Sequence, residues 1–220
     1  MYITDRSFYT MEAHMGALLY SIEKLISGNL RRLTAFTYDD MIGHCDGWNS
    51  LRLSGCHLEQ LHLQFRFPRL PAWVGQLSTV MILEIHLDEL DMDGIAALAG
   101  LPALARLVLR ANHVPAGGIV FSRGAVFRAL TYFAAPQAGL PFHFQAGAMP
   151  MVKILCFPLH VRELNYVARL HGGGGTEAIE LNQALLLLRK GRPYAWLASH
   201  VQGIEHLPNL KKGFHLSGLL

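Results

Sequence analysis

The chain has 220 residues, of which 51% are hydrophobic and 16% are charged, and its formal net charge is +3. Ordinary globular domains carry about 25% charged residues. The composition therefore excludes a disordered chain and predicts one or two domains, or one short solenoid, around a large core. The small net charge gives no indication of nucleic-acid binding.

The three cysteines, Cys45, Cys56 and Cys156, form no Cys-x-x-Cys pair. Their number and spacing argue against a disulfide framework and against a structural zinc site. The first residues show no basic stretch followed by an apolar run, and no window reaches the ~18 apolar residues of a spanning helix. The sequence therefore predicts a cytoplasmic protein without a membrane span.

Residues 1–29 are interpreted as an N-terminal helical segment that caps the rest of the chain. Between Met11 and Ile26, apolar residues recur at helical spacing, and Gly28 follows at the position that ends many helices. We expect this helix to cover the first structural unit that follows it.

Residues 30–160 contain a recurring pattern, Leu-x-x-Leu-x-Leu, with other apolar residues in some of its positions. The first match begins at Leu30. Two matches follow at Trp48 and Leu58, which start too close together to be two full repeats, and Leu58 is preferred because it fits the later spacing. The remaining matches begin at Val80, Leu104, Phe127 and Val152.

The match at Leu104 is the most complete, because it ends in Asn112, which we expect to turn the chain by bonding free backbone groups. From Leu58 onward the matches begin 22, 24, 23 and 25 residues apart. These intervals fall within the range of about 20 to 29 residues that is typical of leucine-rich repeats.

The segments between the matches predict a second layer. In residues 90–101, apolar side chains recur at helical spacing after Asp91 and Asp93, either of which could cap a helix. Each unit therefore combines a strand with a helical or irregular arc. The predicted fold class is α/β, a leucine-rich-repeat solenoid of about six repeats with a curved parallel sheet and a helical or irregular convex side.

The repeat spacing is interrupted before its last member. Residues 161–202 are predicted to be a helical insertion, with a glycine hinge at 172–175 and a helix from Thr176 to Lys190. Residues 203–220 are predicted to be a degraded last repeat around Leu207 and Leu210, because Gly213 stands where an apolar residue is expected.

The patterns that accompany catalysis do not occur in this sequence. The twelve histidines form no metal-binding spacing, and the glycines at 172–175 are followed by Thr176 and Glu177, not by the lysine of a phosphate-binding loop. The nucleophile pattern Gly-x-Ser-x-Gly is also missing. We therefore expect a non-enzymatic protein without catalytic residues, cofactor or metal.

The remaining candidate is the outward side of the predicted sheet, called here the concave face. In each match, the residues between the buried positions point to this side. The mixture of charged and apolar groups suits recognition of a protein partner. The predicted protein-binding residues are Gln60, His62, Gln64, Glu84, His86, Arg106, Arg110, Thr131 and Phe133.

Four stretches of the chain also resemble a known family. FPRLPAWVGQLSTVMILEI at 67–85, LPALARLVLRANHVP at 101–115, QAGAMPMVKILCFPLHV at 145–161 and GIEHLPNLKK at 203–212 are similar to the C-terminal leucine-rich-repeat region of plant nucleotide-binding immune receptors, especially the cereal coiled-coil class. The resemblance implies an intracellular receptor part that recognises a pathogen effector or a guarded host protein. It also implies contact with a nucleotide-binding domain in a larger receptor.

Two departures leave alternatives open. The chain contains no phosphate-binding loop, so the receptor's nucleotide-binding activity does not carry over, and the insertion at 161–202 interrupts the approach to the last repeat. The chain could instead be a stand-alone repeat adaptor, such as the substrate-recognition subunit of a ubiquitin ligase. It could also be a truncated or decayed receptor copy.

Overall fold

A computed structural model describes residues 2–5, 19–26, 29–37, 46–49, 51, 53, 56–136, 141–156, 201–210 and 212–213. The first half of the predicted N-terminal helix lies outside these residues. The predicted insertion at 161–202, including the helix at 176–190, also lies outside them except for its last two residues.

The described residues form eleven strands: β1 (Tyr2–Asp5), β2 (Arg32–Thr37), β3 (Gln60–Phe67), β4 (Ile82–Glu89), β5 (Arg106–His113), β6 (Ile119–Phe121), β7 (Tyr132–Ala134), β8 (Phe142–Phe144), β9 (Ile154–Cys156), β10 (Val201–Gln202) and β11 (Lys212–Gly213). Eight of them form one sheet in the order β1-β2-β3-β4-β5-β7-β9-β11, and all neighbours are parallel. Sequential parallel neighbours confirm the predicted α/β solenoid.

The strand register gives the phase of each repeat. The cross-strand partners at the start of successive strands are Arg32, Gln60, Ile82, Arg106, Tyr132, Ile154 and Lys212. The corresponding repeats begin two residues earlier, which supports the choice of Leu58 over Trp48. In the last strand, Gly213 pairs with Leu155, at a position that is apolar in the preceding strands.

The predicted phase of the repeat at Phe127 is wrong. In β7, Tyr132 pairs with Arg106 and Phe133 pairs with Leu107, so this repeat begins at Leu130 and not at Phe127. Phe127, Leu130 and Phe133 are three residues apart, and all three are buried. The apolar pattern therefore fits two phases that differ by three residues, and cross-strand pairing selects the second.

The N-terminal segment contributes a strand that the sequence did not indicate. Residues 2–5 form β1, which pairs in parallel with β2 from Thr34 to Thr37. Residues 19–26 lie in a helix, α1, whose Leu19, Ile22 and Ile26 side chains are buried in the common core. The segment therefore provides both a sheet strand and a helix, where only a helical cap was expected.

The convex side is covered by short and varied elements. It includes a helix α2 (Asp46–Asn49), a 3-10 turn at Ala72–Gln76, the helix α3 (Met92–Ala99), a 3-10 turn at Ile204–His206 and a second parallel sheet in the order β10-β8-β6. The indole nitrogen of Trp73 donates to the Trp48 carbonyl oxygen at 2.6 Å, which links two successive arcs. This mixture matches the helical or irregular convex side that the sequence predicted.

Asp91 begins the best-formed convex helix. Its Oδ1 accepts a hydrogen bond of 2.7 Å from the Gly94 amide, which satisfies one of the free donors at the start of α3. Ile95 and Leu98 then face the core and are fully buried. Of the two candidate caps, Asp91 is the one that caps the helix, and Asp93 lies in its first turn.

A phenylalanine cluster joins the two sheets. Phe121 in the second sheet stacks on Phe144 at 5.0 Å between ring centroids and meets Phe133 of the main sheet edge-on at 5.4 Å. Phe127 and Phe142 complete the cluster at 5.7 and 6.2 Å from Phe121. Such offset and edge-on contacts add stabilisation beyond burial alone, so this cluster fixes the convex layer onto the strands.

Candidate functional site

The concave face is the side of the eight-stranded sheet that lies opposite the convex layer. Side chains alternate between the core and this face along each strand, and the parallel register aligns them in rows. The first row contains Arg32, Gln60, Ile82, Arg106, Tyr132 and Ile154. The second contains Thr34, His62, Glu84, Val108, Ala134 and Cys156. The third contains Arg66, His86 and Arg110, followed by Asp88 and Asn112.

Most of the predicted binding residues occupy this face. The ones that lie in its rows and are half-buried or exposed are Gln60, His62, Glu84, His86, Arg106 and Arg110. Gln64 is exposed where the β3–β4 register shifts between His62 and Arg66. Thr131 precedes β7, and its hydroxyl donates to the Ala105 carbonyl oxygen at 3.1 Å. Thr131 therefore joins two neighbouring repeats at the edge of the face.

Phe133 is not a surface residue, and its assignment to the concave face is wrong. Its side chain is 0% exposed and packs against Phe121 and Phe142 in the core. The neighbouring Tyr132 lies on the concave face instead, because this repeat begins at Leu130. The corrected set therefore contains Tyr132 in place of Phe133.

Glu84 is at the centre of one group of polar contacts. Its Oε1 lies 3.2 Å from an Arg110 guanidinium nitrogen on β5, and its Oε2 lies 3.3 Å from His62 Nδ1 on β3. The Glu84 side chain is only 16% exposed. A carboxylate so placed is expensive to desolvate unless it is paired, so the two neighbouring strands hold it in one orientation.

A second group of contacts surrounds Asp88. Asn112 Nδ2 donates to Asp88 Oδ1 at 2.7 Å, and an Arg66 nitrogen lies 3.7 Å from the same oxygen. The Asn112 Oδ1 lies 3.3 Å from His86 Nε2. Asn112 therefore belongs to the strand β5 and links side chains on the concave face, although the sequence predicted a residue that turns the chain.

Arg66 and Asp88 were missed as site residues because the repeat pattern ends before them, and Asn112 was missed because the pattern assigned it to a turn. The six-residue pattern begins two residues before each strand and so ends within it, whereas β3, β4 and β5 each have eight residues. The alternation of buried apolar residues with polar residues continues as far as Arg66, Asp88 and Asn112, the second-last residues of these strands. That alternation was the signal in the sequence that could have revealed the additional rows.

His86 lies between two arginines of its row, and its pKa is lowered from the ordinary value of 6.5. Burial is the main cause, and the charges of Arg66 and Arg110 lower the pKa further. The hydrogen bond with Asn112 and the charge of Asp88 act in the opposite direction. The neutral imidazole is therefore favoured, and it can donate from Nε2 to the Asn112 amide oxygen.

Arg106 and Tyr132 form a stacked pair in the first row. The guanidinium carbon lies 4.0 Å from the centroid of the Tyr132 ring, well within the distance for a cation–π contact. Burial and a hydrogen bond with the Cys156 thiol raise the pKa of Tyr132 above its ordinary value of 10.0. Tyr132 therefore remains uncharged at neutral pH, and its ring packs against the Arg106 guanidinium.

The described part of the chain contains neither a metal-binding cluster nor a helix that could span a membrane. Its histidine, cysteine and acidic side chains form no group of three or more that could hold a metal ion. Among the same residues, no helix combines the length and apolar character needed to cross a membrane.

Comparisons with known proteins agree with this architecture. A family model described as "Leucine-rich repeat region" matches residues 5–212. "Disease resistance protein RGA5" of Oryza sativa subsp. japonica is 37% identical over 97 residues, which make up 44% of this chain and 9% of that protein. No solved structure matches the chain. The matched part of the rice protein is therefore a small fraction of its length.

These matches confirm the resemblance to the repeat region of plant disease-resistance receptors. The family match extends from β1 to β11 and so includes every described strand except the first three residues of β1 and the last residue of β11. Repeats of this family form non-catalytic scaffolds. The chain belongs to the leucine-rich-repeat family.

Proposed function

We propose that the chain is a non-enzymatic scaffold that recognises a protein partner through its concave face, as part of a plant intracellular immune receptor. The partner is a pathogen effector or a host protein that such an effector modifies. In a larger receptor, a nucleotide-binding domain is a second partner. The cytoplasm is the compartment that suits this role.

The observation that supports the proposal most strongly is the ordered set of polar contacts on the concave face. Glu84 and Asp88 each contact side chains from neighbouring strands, so the face is organised before any partner binds. Preorganised polar groups lose little conformational entropy on association. Arginine and tyrosine, which dominate the energetics of many protein interfaces, lie side by side at Arg106 and Tyr132.

The similarity to a rice disease resistance protein supports the immune role. That protein is longer than the matched segment by more than tenfold, since the match makes up 9% of it. What the present chain contributes to such a receptor is therefore recognition by repeats, and the proposal assigns no nucleotide chemistry to it.

A triple variant tests recognition by the concave face. Arg106→Ala, Arg110→Ala and Tyr132→Ala together remove three side chains of the face and leave Phe133 in the core. We expect the full chain, expressed in leaf cells, to lose most of its copurifying proteins in this variant, as measured by quantitative mass spectrometry.

A matched control changes the same residue types elsewhere. Arg69, Arg128 and Tyr20 are exposed and lie outside the rows of the concave face. Their replacement by alanine should leave the copurifying proteins unchanged. Equal losses in both triple variants, or no loss in either while the circular dichroism spectrum stays native, would contradict recognition by this face.

A further inference from the structure

We infer that the partner segment that binds the concave face is acidic, with a carboxylate that docks on Arg106 and an adjoining apolar side chain that packs beside Tyr132 and Val108. The inference rests on the proposed function and specifies the chemistry of its partner. It follows from the charges, the stacked pair and the apolar neighbours on this face.

The charges of the face are not balanced among the described residues. The arginines are Arg32, Arg66, Arg106 and Arg110, and the carboxylates are Glu84 and Asp88. Each carboxylate already lies within ion-pair distance of one arginine, Glu84 of Arg110 and Asp88 of Arg66. Within the described ranges, Arg32 and Arg106 have no carboxylate at that distance. A complementary partner therefore brings negative charge to the first row.

The geometry of Arg106 suits a carboxylate. Its guanidinium carbon lies over the Tyr132 ring, 4.0 Å from the ring centroid, and the side chain is exposed. The N–H donors of a guanidinium lie around the edge of its plane, so stacking leaves them available. Two parallel donors match the two oxygens of a carboxylate, which gives a bidentate and directional contact.

Apolar side chains surround the stacked pair. In the first row, Ile82 lies on the strand before Arg106, and Ile154 lies on the strand after Tyr132. Val108 follows Arg106 on the same face of β5. All three are half-buried, so each still presents apolar surface. An aliphatic or aromatic residue next to the partner's acid would cover this surface and exclude water from the ion pair.

A polyanion such as a nucleic acid fits the face less well. Glu84 and Asp88 lie within the rows that its phosphates would cross. Their charges would repel phosphates at the positions where Arg66 and Arg110 are already engaged. A single carboxylate at Arg106, with an apolar residue beside Tyr132 and Val108, leaves Glu84 and Asp88 in their existing ion pairs.

Selection from a random peptide library displayed on phage tests the inference with the full chain as the target. We expect the selected peptides to be enriched in aspartate or glutamate next to an apolar residue. Binding of the synthetic peptides should fall at least about tenfold in the Arg106→Gln protein, which corresponds to ~1.4 kcal/mol. Arg69→Gln, which removes an exposed arginine outside the face, should leave their affinity unchanged.

A double-mutant cycle shows whether the carboxylate meets Arg106 directly. Replacing the peptide's acid by its amide should weaken binding to the wild-type protein as much as Arg106→Gln does. The same peptide change should cause little additional loss in the Arg106→Gln protein, because the two groups form one interaction.

The outcomes separate this inference from the proposed function. Peptides that lose affinity with Tyr132→Ala but contain no acid would overturn the acidic partner and leave concave recognition intact. Acidic peptides that bind the Arg106→Gln protein as well as the wild type would also overturn it. If neither variant affects any selected peptide, both the inference and the proposed function are contradicted.

Discussion

Tyr132 and Phe133 show how one position along a strand decides between surface and core. Tyr132 lies under Arg106 on the concave face, whereas Phe133 packs against Phe121 behind the sheet. Both are aromatic, so composition could not distinguish them. The pairing of Phe133 with Leu107 in the neighbouring strand does so, because a shift in phase exchanges the two sides of a strand.

Alanine substitution at these two positions should have very different effects on stability. We expect Phe133→Ala to lower the free energy of unfolding by about 3 to 5 kcal/mol, since it leaves a cavity in the phenylalanine cluster. Tyr132→Ala should cost less than half as much, because its ring is partly solvated. Chemical denaturation monitored by circular dichroism measures both, and similar losses would contradict the corrected phase of this repeat.

His86 should make the stability of the protein depend on pH. Its pKa in the folded protein lies below the value of about 6.5 in the unfolded chain. The unfolded chain therefore takes up the proton first as the pH falls, and stability decreases from about pH 6.5 down to the lower pKa of the folded state. Above that window both states are neutral and His86 contributes no pH dependence.

His86→Gln removes the titrating group and keeps a side chain that can donate to Asn112. The variant should lose less stability than the wild type between about pH 7.5 and pH 5.5. Thermal unfolding at the two pH values provides the measurement. An equal or larger decrease in the melting temperature of the variant would show that His86 is not disfavoured in its charged form.

At the scale of single elements, α3 depends on its cap. Asp91→Ala should destabilise the protein by about 1 kcal/mol, because the Gly94 amide loses its acceptor at the helix start. Asp93→Ala is the control, since that exposed acid lies in the first turn, where its charge favours the helix dipole, and its loss should cost less. A larger effect at Asp93 in denaturant titrations would reverse the assignment of the cap.

Gly203 fixes the approach of the last described repeat to the second sheet. It has a φ of 78°, and a Cβ atom there would overlap the Phe144 carbonyl oxygen. Gly147 has a similar φ of 83° but an open position, with no atom within 4 Å of such a Cβ. Comparison of substitutions at Gly147 and Gly203 therefore distinguishes the cost of a positive φ from the cost of steric overlap.

Gly147→Ala should cost about 1 to 2 kcal/mol from the left-handed conformation alone. Gly203→Ala should cost about 1 to 3 kcal/mol more, because the Phe144 backbone must move. Hydrogen exchange at residues 142–144 and 201–210 measures the loss of protection. Equal effects of the two substitutions would show that residues 201–210 do not pack closely against β8.

The sequence predicted the strand phases best where the apolar spacing is compatible with only one register. Four of the repeats that the pattern placed between Leu58 and Val152 have the strand phase expected of them, because their buried positions match one register only. At Phe127 the spacing allowed two phases. β1 was missed since residues 2–5 are too few to show a period.

The candidate site was predicted only in part for a related reason. A six-residue pattern places His62, Glu84 and Arg106 on the face but stops before Arg66 and Asp88, and Asn112 was assigned to a turn. It also cannot show which side chains meet, because contacts such as Glu84 with Arg110 join different strands. Those contacts depend on the register, which only the assembled sheet defines.

At the scale of the whole molecule, each repeat is stabilised mainly by its neighbours. The longest ladders join β3, β4 and β5, whereas β7 and β9 have three residues each. The phenylalanine cluster lies behind β7 and joins this shorter strand to the second sheet. The charged contacts of the concave face are built on the long strands, where pairing holds their backbone most firmly.

Site-specific photo-crosslinking tests recognition by the concave face most directly. A benzoylphenylalanine is introduced at Gln60, Arg106 or Ile154 on that face, and at Ala72 or Ala96, which are exposed on the convex side. After irradiation of leaf cells that express the full chain, the concave positions should form a crosslink to a common partner protein and the convex positions should not. Crosslinks to a common partner from Ala72 and Ala96 alone would contradict the account.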